Sequence, residues 1–174
     1  DDGPTAQTDT PTEAVTVALD ESPLPDAGDG ILSDKGDFSA YFTTGAAVDY
    51  GTDGAGDVSY AFVLNTGDAD TVGSGLYALD PSDTSDTDTD GIGQGDEIQL
   101  SVNAAGTVIT GSVGTTDYFT LTLDPATGEI TFAQQANIWH DDTTDGDDIE
   151  TLLLEAGTLL LEQTVTDADG DSDT

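Results

Sequence analysis

Residues 86–97 read Asp86-Thr-Asp88-Thr-Asp90-Gly91-Ile-Gly-Gln94-Gly-Asp96-Glu97. This spacing, D-x-D-x-D-G followed by five residues and Glu, is that of a twelve-residue calcium loop. A hard cation takes six to eight oxygens. Alternate Asp residues supply three carboxylates, Gly91 permits the sharp turn, and Glu97 closes the shell with Asp96 beside it. The flanking sequence reads as loop and strand, so the loop does not sit between the two helices of an EF-hand. The competing reading is an acidic loop held open by water, because an Asp-rich chain meets this spacing by chance more often than an average one.

Four further acidic groupings accompany it. Asp49, Asp53 and Asp57 recur every fourth residue among Gly51, Gly54 and Gly56. They read either as one metal site or as a Gly/Asp turn. Asp20 and Glu21, with Asp26 and Asp29, form a second grouping. His140-Asp141-Asp142 through Asp145, Asp147 and Asp148 form a third. One His without Cys is a poor zinc set. Asp167, Asp169 and Asp171 end the chain in a pattern expected of a calcium ion at the joint to a neighbouring domain.

Catalysis has little support. A carboxylate pair serves a glycosidase only if one member keeps a proton. A cation among these acids would hold them ionised and remove that general acid. His140 is the one possible triad base, and no Gly-x-Ser-x-Gly elbow or phosphate loop occurs. The chain is therefore read as a binding protein and not an enzyme.

Charge sets the next constraint. The 174 residues carry 37 Asp or Glu against a single Lys or Arg, a net charge of −36. Such a chain repels itself when compact. Several bound Ca²⁺ ions are the expected remedy, with a halophile-type solvated surface as the alternative. No basic patch exists to neutralise phosphates, which excludes nucleic acid and direct binding to an anionic membrane. With no Cys to form disulfides, calcium is the expected staple of an extracellular domain.

The elements that must position these acids are short strands. Residues 14–19, 38–42, 57–64, 76–79, 97–102, 107–113, 118–123, 129–133 and 158–166 are β-branched or alternating, with Gly, Pro, Asn and Asp between them. Turns are expected at 103–106 and 124–128. Tyr41, Phe42, Tyr60, Phe62, Phe119 and Phe132 are the expected aromatic core. The pattern predicts an all-β fold, an antiparallel β-sandwich with long calcium-binding loops and at most one short helix, at 150–156. Residues 1–13 form a linker or first edge segment. A single domain spans 14–166 with an acidic insertion loop at 80–97, and 167–174 is an acidic junction. So long an irregular insertion in a compact domain points to function. Tyr77, Gln94 and Trp139 are candidates for the walls of a ligand groove beside it, Trp139 having core or collar packing as its other reading.

Several stretches carry a family likeness: Leu19-Asp-Glu-Ser22, Asp49-Tyr-Gly-Thr-Asp-Gly-Ala-Gly56, Gly128-Glu-Ile-Thr-Phe-Ala-Gln-Gln135, Ile138-Trp-His-Asp141 and Thr164-Val-Thr-Asp-Ala-Asp-Gly-Asp171. In this order they resemble the repeat-type domains of very large bacterial adhesins of the repeats-in-toxin (RTX) class. The resemblance implies type I secretion, an extracellular place on the bacterial cell surface, and a calcium-dependent β-sandwich flanked by neighbouring adhesin domains. It implies either a structural extender or a module that grips a peptide or protein surface ligand, through a C-terminal carboxylate, on a host cell or neighbouring microbe. A carbohydrate-binding role is the remaining alternative.

Overall fold

The computed structural model describes residues 3–19, 32–85, 91–141, 150–152 and 154–174. Among the described residues nine strands form: β1 (Ser33–Asp37), β2 (Ala55–Leu64), β3 (Val72–Leu79), β4 (Gln94–Val102), β5 (Val108–Val113), β6 (Thr116–Leu123), β7 (Glu129–Gln134), β8 (Leu159–Asp167) and β9 (Ser172–Asp173). Six form one antiparallel sheet in the order β1-β7-β6-β5-β4-β3, and β2-β8-β9 form a second. The run β3 to β7 is a meander, which local turns suffice to build. Asn103 Oδ1 accepts the Thr107 and Val108 N–H groups in the β4–β5 turn, and the Gly128 N–H returns to Asp124 O in the β6–β7 turn.

The core lies between the sheets. Phe119, Ile98, Leu100 and Ile109 from the large sheet and Val165 from β8 are essentially solvent-free. Phe119 meets Phe132 edge to face at 5.4 Å. The large sheet curls toward β2 at its turns. Tyr60 N–H donates to Pro125 O and Phe62 N–H to Gly106 O, so β2 has its outer edge satisfied by the turns of the opposite sheet. Gln163 is buried on β8 and its amide donates to Thr43 O and Tyr60 Oη. Period-two alternation marks its position as inward but cannot reveal a polar pair across the core.

The all-β antiparallel sandwich is the expected fold, and several local expectations are corrected. Residues 38–41 form a 3-10 turn and not a strand, because the Asp37 carboxylate caps the Ser39 N–H and hydroxyl. Residues 14–19 alternate in burial, yet they join no ladder. The Val15 N–H goes to Tyr41 Oη and the Ala18 N–H to Asp34 Oδ2. None of the described residues in 150–156 is helical; Thr158 and Gly157 instead tie back to Asn65. Strand β1 occupies residues expected to be loop. In the 3–13 segment, Thr5 and Thr8 bridge to Asp49 and Phe42. The 167–174 tail folds back, with Ser172 and Asp173 paired to Thr166 and Val165. No helix among the described residues is long and apolar enough to cross a membrane.

Candidate metal centre and ligand cleft

Asp86, Asp88, Asp90, Asp20 and Glu21 lie outside the described residues. The insertion itself is shorter than 80–97, because β4 already begins at Gln94 and takes Asp96 and Glu97 into the sheet. Glu97 pairs with Tyr77, and its Oε1 accepts the Gly75 N–H at 3.0 Å. Its carboxylate also fills the space that a side chain on Gly73 would take. It therefore leans along β3 toward residues 73–75, on the side away from Gly91.

The neck of the insertion is closed by its own backbone. Asp80 N–H donates to Gly93 O, and Gly93 N–H donates to Asp83 Oδ2, both at 2.8 Å. Trp139 clamps this neck. Residues 137–139 dock beside the end of β3 through Leu79 N–H to Asn137 O and Trp139 N–H to Tyr77 O. The indole Nε1 then donates to Ile92 O at 2.9 Å, while its ring meets Tyr77 nearly perpendicularly at 6.2 Å. Gly91 has φ +99, and a methyl there would stand 2.8 Å from the indole.

Beside the neck opens a cleft of about 390 Å³ lined by Ala78, Leu79, Asp80, Gln94, Gly95, Asp96, Val113 and Tyr118. Gln94 is thus the one expected groove residue in its lining, with Asp96 as a second predicted site residue. Tyr77 and Trp139 pack against each other instead. Tyr118 and Asp80 complete the polar part and were not foreseen. The Ser82 hydroxyl and N–H both donate to the Asp80 carboxylate and hold its pKa below the ordinary value. The cleft is anionic at neutral pH.

A second constellation joins two groupings that are separate in sequence. Carboxylate oxygens of Asp53, Asp167 and Asp169 all lie within 4.8 Å of one another. Asp53 sits on the loop before β2, Asp167 ends β8, and Asp169 lies in the turn to β9. Strand pairing brings them together: Ala55 faces Asp167, and Gly56 is the extra residue of a bulge between Ala55 and Asp57. A side chain on Gly56 would overlap the carbonyl oxygens of Thr166 and Asp167.

Asp167 is 3% exposed. Its Oδ1 accepts the Gly170 and Asp171 N–H groups at 3.1 and 2.9 Å. Its Oδ2 is buried with no hydrogen-bond partner. Burial pushes this carboxyl up, but hydrogen bonds from Asp169 and from the turn N–H groups outweigh it and hold Asp167 below its ordinary pKa. Asp169 is raised, first by the hydrogen bond shared with Asp167, then by burial and the charges of Asp167 and Asp53. An oxygen-only donor set with an orphaned buried carboxylate oxygen fits a hard cation. Asp49 lies apart from these three, its carboxylate turned to the Gly51 N–H. Asp57 is exposed on β2, and Asp141 is exposed with its N–H on Glu150 Oε1.

A family model described as a domain of unknown function (DUF5801) matches residues 16–174. No curated protein and no solved structure matches the chain.

Proposed function

The chain belongs to the DUF5801 family, and we propose that it is a calcium-dependent ligand-binding module of a bacterial surface adhesin, outside the cell and not an enzyme. The observation that supports this best is the cleft at the neck of the acidic insertion, where Gln94 and Asp96 meet Asp80 and Tyr118. A clamped neck beside a concave surface keeps binding residues in place. Asp80 and Asp96 repel a bare carboxylate. A peptide terminus therefore enters only with a divalent cation between the two sets of oxygens, which makes capture calcium-dependent by charge alone. Gln94 and Tyr118 offer neutral hydrogen bonds to the peptide.

The test is calorimetric titration with peptides ending in a free carboxylate and with their amidated counterparts, each in calcium and in chelator. Saturable binding is expected only with the free carboxylate and calcium. Gln94→Ala should weaken it by about tenfold, roughly 1.4 kcal/mol. Lack of any saturable binding across a broad peptide set in calcium would defeat the reading. The second reading, a structural extender, is favoured by the Asp53, Asp167 and Asp169 grouping, which lies at the β2–β8 end and shares no residue with the cleft.

A further inference from the structure

We infer that Asp53, Asp167 and Asp169 form a calcium site of their own, independent of the cleft and the 86–97 motif, and that its ion latches both terminal segments to the sandwich. Three observations carry this.

The first is reach. Two oxygens on one Ca²⁺ stand at most about 5 Å apart, twice the bond length of 2.3–2.6 Å. All three carboxylates fall inside that limit. Calcium is preferred to magnesium because donors from a loop, a strand end and a turn form an irregular set, which the larger ion tolerates and the strict octahedron of Mg²⁺ does not.

The second is the orphaned oxygen. Asp167 is buried, and its Oδ1 is consumed by the turn N–H groups, whereas Oδ2 has no donor once Asp169 is ionised. A buried carboxylate oxygen without a donor is costly, and two more carboxylates beside it raise that cost. A cation offsets both.

The third is what the site would hold. Strand β9 is two residues long. Its turn is fixed by Asp167 N–H to Asp171 O, by the Oδ1 contacts, and by Ala168 N–H to Gly54 O at 3.0 Å. Asp173 Oδ2 in turn accepts the Ala6 N–H at 2.9 Å, and Thr5 N–H donates to Asp49 O. An ion shared by Asp53, Asp167 and Asp169 thus ties the head of β2 to the tail of β8, and through β9 to the amino-terminal segment. Without it, three like charges push the turn away from the 49–57 loop, while the rest of the β2–β8 ladder and the core remain.

The experiment compares the metal-stripped chain with Asp53→Asn, a conservative change at an exposed position. Calorimetric titration with CaCl₂ counts ions, and amide exchange by NMR reads the latch. Asp53→Asn is expected to bind one ion fewer. At calcium a hundredfold above Kd, opening of the turn falls about 100-fold if the ion binds only the closed form. The amides of Ala168, Gly170, Asp171 and Ala6 should slow accordingly in the parent chain and not in the variant. Asp167→Asn, which keeps an Oδ1 acceptor for the turn, should behave the same way. Equal ion counts in parent and variants would overturn the site. A lost ion with unchanged exchange would overturn the latch. Equal protection by Mg²⁺ would overturn the choice of ion. Each outcome is independent of peptide titration at the cleft.

Discussion

The acidic insertion between β3 and β4 draws its carboxylates from one short run of sequence, whereas Asp53, Asp167 and Asp169 come from segments far apart in the chain. The two regions are stiffened differently. At the insertion, an aromatic clamp holds the neck: Trp139 bonds Ile92 O and covers Gly91. At the β2–β8 end, backbone N–H groups hold one carboxylate directly and a bulge at Gly56 brings the strands close. A contiguous motif announces its ligand atoms but leaves their geometry to its supports. An assembled site has no motif, and its geometry follows from the register of the sheet.

The largest effect that separates the regions should come from Gly56→Ala. The added methyl overlaps the Thr166 and Asp167 carbonyls, so β2 must move off β8 where the three carboxylates gather. Overpacking of this kind costs about 1–3 kcal/mol. Chemical denaturation should show that loss, and calcium should restore less stability than in the parent chain. Trp139 fluorescence should hardly change, because the clamp lies at the other region. If Trp139 responds as strongly as stability does, the two regions are coupled and the comparison fails.

Gly91→Ala is the converse and should be smaller. Its φ of +99 strains a non-glycine residue, and the methyl meets the indole at 2.8 Å. A cost of about 1–2 kcal/mol is expected. The sole tryptophan should shift its emission toward that of an exposed indole, with peptide binding at the cleft reduced. Calcium binding at Asp53, Asp167 and Asp169 should be unchanged. A variant with native emission would show that the clamp does not depend on this glycine.

The smallest effect is a pH response at a third place, where Asp34 holds the Ala18 N–H. That N–H, followed by the Lys35 N–H, lowers the folded pKa of Asp34. A lowered folded pKa means the contribution is complete above the ordinary carboxylate value and is lost as pH falls through the lowered one. Ala18 exchange should therefore be steady at neutral pH, after correction for intrinsic rate, and its protection should drop only as the pH falls below the ordinary carboxylate value. Asp34→Asn should largely remove that acid-dependent step. Loss of protection while the pH is still above the ordinary carboxylate value would contradict the assignment.

Much of the architecture follows from local rules that a sequence displays. Alternation marks one face each of β6, β7 and β8, and the Asn103 and Asp124 turns follow from side chains that bond their own neighbouring backbone. The same rules misread 38–42, where one capping carboxylate outweighs β propensity, and 14–19, where extended backbone finds side-chain partners instead of a strand. The buried amide of Gln163 carried no signal, since its partners Thr43 and Tyr60 are distant in the chain.

The acids divide in the same manner. Composition alone established that a chain of net charge −36 is short of cations, and spacing alone singled out residues 49–57 and 167–171 as separate acidic groups. Only the tertiary structure decided that Asp53 leaves its own group to meet Asp167 and Asp169, and that Glu97 turns away to the glycines of β3. The physical reason is register. Side-chain chemistry is written one residue at a time, but which carboxylates share a point in space depends on how strands pair, and a bulge of one residue is enough to change the set.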